Sequence, residues 1–366
     1  MPRRRPGPRP PIALVLALAA GAGVVALEGP AARAQGKPRR GKVEEVRATW
    51  AHPDGKRELP VKLYVPAQAG PRPVVLLSHG LGGTREALAY LARPWAEAGW
   101  LCVAMQHPGS DEAVWRDLPL LERMAAMRRA AADPFAAWDR ARDVRAVLDR
   151  LEHETKAAEG PLAGRVDLAR VAIAGHSFGA WTALTAGGRR PAALPGRAGD
   201  LSDRRVRCVV SLSGAGFKDD ARERVAAAGL RVPTLHMTGT LDTSPVTDAT
   251  VEDRKRVYRL APGPGEGDDG GGAAQYLLVL EGGDHMVFSG EARPLRSRLR
   301  EGNPAHDAKF HALIRTVATR FLEAHLLGQA EAQAWLAGDG LLAAASGLAA
   351  VERKVAPPAE APAPAR

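Results

Sequence analysis

The sequence predicts an α/β protein with a mostly parallel central sheet of about eight strands and helices on both faces. Short apolar runs such as Val74–Ser78 and Leu101–Met105 lack polar alternation, as strands buried on both faces require. Segments with helical periodicity alternate with these runs. The 366 residues are 45% hydrophobic and 25% charged, an ordinary globular balance that argues against a wholly disordered chain or a polytopic membrane protein.

The first half of the chain begins with strands and continues with alternating strands and helices. Alternating β-like patterns at Val43–Trp50 and Glu58–Val65 predict an opening antiparallel pair. The predicted helix Arg85–Ala98 is followed by Gly99, which favours helix termination. The other predicted elements are strand Val74–Ser78, strand Leu101–Met105, an inserted helical segment from Asp111 to Ala132, helix Phe135–His153 and strand Val171–Ala174.

The second half continues the alternation. Pro262–Ala274 is Gly-rich and acidic, which predicts a surface loop. The other predicted elements are a helix from Phe178, strand Val209–Leu212, strand Thr234–Met237, helix Thr247–Leu260, a last strand Tyr276–Leu280 and helix His306–Leu327. These elements form one predicted domain over 43–328. An extension over 329–366 follows, with an Ala-rich helix at Gln329–Val351 and a disordered Pro/Ala end at 357–366.

The first 34 residues have the three-part layout of a secretory signal peptide. An Arg-rich start precedes the apolar stretch Ile12–Leu27, and Ala32–Ala34 is a small-residue cleavage pattern. The alternative is a membrane anchor, but sixteen apolar residues are short for a span of about 20. We therefore expect cleavage after Ala34, no stable membrane span afterwards, a linker at 35–42, and a periplasmic or secreted protein.

The formal net charge of +10 invites comparison with nucleic-acid-binding proteins. Five Arg and one Glu lie in the predicted signal peptide, so its removal lowers the net charge by four, to +6. The chain has neither a lysine-rich run nor interleaved basic and aromatic residues. We therefore expect no nucleic-acid partner and interpret the basic excess as surface charge.

Cysteine and metal-ligand patterns are sparse. Cys102 and Cys208 both lie in apolar runs that predict buried strands, and we expect two free thiols because the predicted fold does not pair those strands. No His, Cys, Asp or Glu cluster has metal-ligand spacing, and we expect no metal or other cofactor.

The strongest motif is Gly175-His-Ser-Phe-Gly179, directly after a predicted buried strand. Glycines on both sides allow a sharp strand-to-helix turn that exposes the central serine, the arrangement called a nucleophile elbow. Ser177 is therefore the predicted nucleophile. A structural serine in a glycine turn is the alternative.

A second motif, Ser78-His-Gly-Leu-Gly-Gly83, follows the strand Val74–Ser78. Such a loop can present a backbone N–H toward the nucleophile, and the start of the helix after Ser177 can present another. We assign the two oxyanion donors to the amides of Leu81 and Phe178. His79 is interpreted as a structural hydrogen-bonding residue rather than as a base.

Two further strand ends supply a predicted acid and base. Asp242 follows the strand Thr234–Met237 through a Gly turn, where a carboxylate can orient an imidazole. His285 follows the last predicted strand and is the predicted general base. Asp219 and Asp220, which follow the strand Val209–Leu212, are the alternatives to Asp242.

These motifs, in the order Ser177, Asp242, His285, resemble the α/β-hydrolase superfamily over roughly residues 43–327. Val74–Gly83 with Gly175–Gly179 is similar to platelet-activating-factor acetylhydrolase-like proteins, and 232–245 is similar to dienelactone hydrolases and cutinase-like polyester hydrolases. True dienelactone hydrolases have cysteine where this chain has Ser177. The acetylhydrolase-like acid follows the preceding strand, and no Asp directly follows Ser211-Leu-Ser-Gly214.

The resemblance implies an α/β-hydrolase fold and a serine carboxylesterase acting on a small-molecule, lipid or polymer ester, and the signal-peptide layout adds the expectation of export. Candidate pocket residues are Trp181, Phe217, Met286 and Phe288. The segment 111–133 is either a lid, with Trp115, Leu118, Leu120 and Leu121 as its apolar face, or an outer covering helix. The alternatives in function are a lipase, acetylhydrolase or peptidase with the same triad, or a catalytically silent binding protein.

Overall fold

The computed structural model describes residues 41–194, 200–244, 246–267, 270–290 and 302–356. The predicted signal peptide, nearly all of the predicted linker and the Pro/Ala end of the chain lie outside these ranges. All of the described residues belong to one compact unit. None of their helices is long and apolar enough to cross a membrane.

A mixed sheet forms the centre of the described part of the chain. Its strands are β1 Val43–Ala51, β2 Glu58–Pro66, β3 Arg72–Ser78, β4 Leu101–Met105, β5 Val166–His176, β6 Val206–Leu212, β7 Thr234–Leu241, β8 Gln275–Asp284 and β9 Ala349–Lys354. They are ordered β1-β2-β4-β3-β5-β6-β7-β8-β9. Six neighbouring strands of the sheet are mutually parallel, in the order β4-β3-β5-β6-β7-β8. The remaining strands, β1, β2 and β9, make antiparallel pairs. The predicted α/β class and the mostly parallel sheet are therefore confirmed.

Helices cover both faces of this sheet, as the sequence predicts. The helices of the described residues are α1 Ala89–Glu97, α2 Leu120–Ala131, α3 Pro134–Lys156, α4 Phe178–Ala186, α5 Asp220–Ala227, α6 Val251–Leu260, α7 Asp307–His325, α8 Ala330–Ala337 and α9 Asp339–Ala345. One face packs against α1 and α7, and the other packs against α3, α4 and α6. Val75 and Val74, neighbours on β3, belong to the cores of opposite faces, which is the alternation of a strand buried on both sides.

The C-terminal extension differs from its prediction. The sequence predicts that Tyr276–Leu280 is the last strand and that 329–351 is a helix, but the chain forms two short helices and then β9. Gly347 has φ of 70°, which lets the chain reverse after α9. β9 then pairs antiparallel with the edge of β8. Edge pairing and burial override the helix propensity of the Ala-rich sequence.

Two other features concern the inserted segment and the two cysteines. The inserted segment 111–132 is not one continuous helix, because a short 3₁₀ turn at Glu112–Val114 precedes α2 and Pro119 lies immediately before it. Cys102 lies on β4 and Cys208 on β6, and β3 and β5 separate these strands. Both thiols are buried and free.

The beginning of α4 lies in direct backbone contact with the end of β3. A Cβ atom built on Gly179 would lie well inside van der Waals distance of the Ser78 carbonyl, and one on Gly175 would overlap the Gly179 carbonyl. Neither position has room for a side chain. The two glycines therefore set how closely the loop after β3 approaches Ser177.

We expect Gly179→Ala to lower the free energy of unfolding by about 3 kcal/mol, because the methyl group displaces backbone rather than a flexible side chain. Urea unfolding measures this. Gly55→Ala is the matched control: no atom lies within 4 Å of its added Cβ, and its left-handed φ alone costs about 1–2 kcal/mol. A Gly179→Ala loss no larger than the control loss contradicts the expectation.

Candidate active site

Ser177 lies in the sharp turn between β5 and α4. Its backbone has φ 55° and ψ −114°, a left-handed φ that non-glycine residues rarely adopt. The Ser177 N–H donates to the carbonyl of Leu212 (2.9 Å), and its own carbonyl accepts from the amides of Ala180 and Trp181. These bonds hold the strained turn at the carboxyl edge of the sheet, where Ser177 lines a cavity.

The structure brings Ser177, His285 and Asp242 together in one chain of hydrogen bonds. His285 directly follows β8, and its Nε2 lies 3.0 Å from Ser177 Oγ. Asp242 directly follows β7, and its Oδ1 lies 2.8 Å from His285 Nδ1. The three side chains follow the parallel strands β5, β7 and β8, with β6 between β5 and β7, and lie at the edge where ligands bind in such sheets.

Asp242 is fully buried and accepts several hydrogen bonds. Beyond His285, it accepts from Ser213 Oγ (3.0 Å) and Thr238 Oγ1 (2.8 Å), and Arg254 Nε lies 2.9 Å from Oδ1. Burial alone would raise the pKa of Asp242, but the Arg254 charge and the hydrogen bonds outweigh burial and lower it. The carboxylate is therefore ionised at neutral pH.

Sequence reasoning missed Ser213 and Arg254. Ser213 directly follows β6 in a left-handed conformation (φ 59°), and its Oγ lies 2.7 Å from His285 Nδ1. Arg254, on α6, also donates through Nη1 to the Ser213 carbonyl (2.6 Å). The place of Ser213 at a strand end was a usable signal, whereas nothing in the pattern of α6 distinguishes Arg254 from its other arginines.

The backbone around His285 is held from two sides. His176 Nε2 donates to the His285 carbonyl (2.9 Å), and the two rings lie 4.8 Å apart. Asp284 Oδ1 accepts from the amides of Met286 (2.9 Å) and Val287 (3.0 Å). The second residue of the Gly-x-Ser-x-Gly motif thus positions the loop that carries the histidine.

The two alternative acids lie elsewhere. Asp219 accepts from the Arg222 amide (2.7 Å) and caps the N-terminus of α5. Asp220 is exposed and lies 2.6 Å from Arg256 Nε. Neither shares the cavity with Ser177.

Leu81 and Phe178, the predicted oxyanion donors, both line the cavity beside Ser177. Within the part of the chain that the structure describes, neither amide donates a hydrogen bond to another protein group. His79 donates through Nδ1 to the Gly80 carbonyl (2.7 Å) and accepts at Nε2 from the amide of His107 (3.0 Å). Its ring is therefore engaged in the loop structure and is not directed at Ser177.

The cavity has a volume of about 1110 Å³. Its lining includes three of the four predicted pocket residues, Trp181, Phe217 and Met286. Phe288 is a correction: it is 0% exposed and packs in the core that α1 and α7 cover. Ser289 donates through its amide to the Met286 carbonyl, so the chain turns after Met286 and carries Phe288 inward.

The inserted segment forms part of the cavity wall, but of its predicted apolar face only Trp115 lines the cavity, and Leu118, Leu120 and Leu121 do not. Trp115, Met124 and Met127 line the cavity. Leu120 and Leu121 are 60% and 94% exposed. The lining residues of α2 begin at Arg123 and continue toward the C-terminal end of the helix.

Two further observations bear on the site. The described residues contain no group of three or more His, Cys, Asp or Glu side chains that could hold a metal ion. No protein-family model matches the sequence, and a search of curated proteins found no match. The geometry around Ser177 therefore carries the functional interpretation.

We expect the difference in unfolding free energy between the wild type and Asp242→Asn to narrow on acidification. Because the folded pKa of Asp242 is lowered, its ionised form contributes stability that is complete above the ordinary pKa of about 4. That contribution is lost as the pH falls through the lower folded value. Urea unfolding at neutral pH and in steps below about pH 4 measures the difference. A difference independent of pH would contradict the lowered pKa.

Proposed function

We propose that the protein is an exported serine hydrolase of the α/β-hydrolase fold that cleaves carboxylic esters. The observation that carries the proposal is the relay from Ser177 Oγ through His285 to Asp242, with contacts of 3.0 and 2.8 Å. Its placement at the ends of three parallel strands, in the order Ser, Asp, His, supports the fold assignment. Export rests on the signal-peptide layout of residues 1–34.

In the proposed first step, Ser177 Oγ attacks the ester carbonyl carbon as His285 Nε2 takes its proton. The C=O electron pair moves onto oxygen, which the amides of Leu81 and Phe178 receive. The imidazolium that forms lies against ionised Asp242. Ser213 Oγ, which donates to Asp242, can also accept from His285 Nδ1 and so helps to fix the tautomer that leaves Nε2 free for the proton.

In the second step, the oxygen electron pair returns and the bond to the leaving alkoxide breaks. His285 donates the proton from Nε2 to that oxygen, so an alcohol leaves and the acyl group stays on Ser177. Water then repeats the sequence, with His285 as base and then as acid. The products are a carboxylic acid and free Ser177.

The cavity walls favour an ester with a large apolar acyl or alcohol group. Trp181 and Phe217 supply aromatic surface, and Met124 and Met127 of the inserted segment supply flexible apolar surface. The nearby cations are already engaged: Lys218 lies 2.5 Å from Asp248, and Arg123 donates to the Leu118 carbonyl (2.8 Å). An uncharged substrate fits this lining better than an anionic one.

We expect Ser177→Ala to abolish hydrolysis of a p-nitrophenyl ester, because the variant lacks the hydroxyl that His285 Nε2 contacts and that forms the proposed acyl-enzyme. Initial rates and the release of p-nitrophenol in a burst phase measure it, and far-UV circular dichroism checks folding. Ser202→Ala, outside the cavity, is the matched control and should keep full activity. Undiminished hydrolysis by Ser177→Ala would contradict the proposed mechanism.

We expect Asp242→Asn to lower kcat by as much as about 10⁴-fold with a smaller change in KM, because the imidazole loses its partner and its preferred tautomer. Steady-state kinetics on the same ester measures this. Asp220→Asn, at the exposed alternative acid, should leave kcat unchanged. The assignment of Asp242 as the acid is wrong if Asp220→Asn lowers kcat and Asp242→Asn leaves it unchanged.

A further inference from the structure

Arg140 is a buried arginine that the proposed reaction steps do not use. It lies on α3 and is only 1% exposed. Its guanidinium reaches the space between the loop after β3 and the first turn of α4. These two segments carry the amides of Leu81 and Phe178.

On the side of the loop, Arg140 binds three oxygen atoms. Nη2 donates to the carbonyl of His79 and to Ser78 Oγ (3.1 Å). Nη1 donates to Ser110 Oγ (3.0 Å), and the Ser110 carbonyl accepts from the Gly82 amide (2.9 Å). One guanidinium therefore holds both the start of the loop and the segment to which its far end is bonded.

On the side of α4, Arg140 Nε donates to Thr182 Oγ1 (3.0 Å). Thr182 Oγ1 in turn donates to the carbonyl of Phe178 (3.0 Å). The guanidinium carbon also lies 4.5 Å from the centre of the Phe178 ring, within the range of a cation–π contact. The first turn of α4 is thus bonded to the same planar group as the loop.

The direction of the Leu81 N–H follows from the position of His79. The carbonyl of Gly80 accepts from His79 Nδ1 (2.7 Å) and from the Gly83 amide (3.0 Å). The Gly80–Leu81 peptide is trans and planar, so its N–H points opposite to that carbonyl. A shift of His79 therefore redirects the Leu81 amide.

A chain of hydrogen bonds orients the Ser78 hydroxyl that Arg140 contacts. Ser78 Oγ lies 2.9 Å from His107 Nε2, and His107 Nδ1 lies 3.0 Å from Asp143 Oδ2. Burial lowers the pKa of His107 well below its ordinary value, so the ring is neutral. With the His107 proton on Nδ1, Ser78 donates to Nε2 and keeps its lone pairs for Arg140. Burial also lowers the pKa of Arg140 to about 9, which leaves it charged at neutral pH.

We propose that Arg140 is a positioning residue that sets the spacing and direction of both oxyanion donors by binding the loop of Leu81 and the first turn of α4 at once. This inference rests on the proposed esterase function. Its chemical basis is the planar guanidinium, whose N–H groups point in fixed directions. A lysine ammonium keeps the charge but cannot bind Thr182, Ser110 and the His79 carbonyl in one plane.

The test compares an ester with its thionoester, in which sulfur replaces the carbonyl oxygen. Sulfur is larger and a weaker acceptor, so donors spaced for oxygen stabilise its transition state less. We expect Arg140→Lys to lower kcat for the ester by about 10²-fold, with KM nearly unchanged. The ester-to-thionoester ratio of kcat/KM should fall by about tenfold. The control is Arg145→Lys, on the same helix, whose guanidinium donates to the carbonyls of Asp200 and Ser202; it should leave both values unchanged.

An equal loss on both substrates, or no loss, overturns the positioning role, because a purely structural arginine would not change the ratio. If Arg140→Lys does not fold, Thr182→Val, which removes the Nε acceptor at nearly constant volume, must lower the same ratio, and an unchanged ratio overturns the proposal. Wild-type protein no more active than Ser177→Ala overturns the esterase proposal and this one together. That failure appears in the wild type, whereas failure of the positioning role appears only in the variants.

Discussion

The backbone contact between Gly179 and the end of β3 is the constraint on which the site depends. Because no side chain fits between them, α4 begins directly against the loop that follows β3. This approach forces the chain at Ser177 into a left-handed turn, a conformation that costs about 1–2 kcal/mol. The bond from its amide to Leu212 and the first bonds of α4 offset that cost. The consequence is a serine hydroxyl at the sheet edge, in reach of His285.

Two buried arginines then hold the parts of the site that come from distant segments. Arg254 joins α6 to the ends of β6 and β7 through Ser213 and Asp242. Arg140 joins α3 to the loop after β3 and to α4. Taking a guanidinium out of water is costly, and bonds to carboxylate, carbonyl or hydroxyl oxygen repay that cost only with good geometry. Loss of either partner leaves a buried polar group unsatisfied, so these networks resist gradual distortion.

Features that depend on local sequence patterns were predicted, and features that depend on contacts between distant parts of the chain were missed. Leu101–Met105 was predicted to the residue, because a strand buried on both faces leaves a local apolar pattern. The candidate site residues at strand ends could also be predicted from the sequence, because strand-end position and glycine turns are local features. Arg254, by contrast, is 41 residues from Ser213, and nothing in α6 indicates that contact. The pairing of β9 with β8 was missed because an Ala-rich segment has helix propensity and only the sheet edge changes its outcome.

The buried arginines also affect how the basic composition of the chain is interpreted. Arg140, Arg189 and Arg254 are each less than 5% exposed. Arg189 is bonded to Glu223, and the other two hold the candidate site. Positive charge inside the protein cannot attract a nucleic acid, since recognition of phosphates requires cations at the surface. Part of the arginine content therefore has an internal role: the planar guanidinium joins backbone segments that a compact α/β sheet brings together from distant parts of the chain.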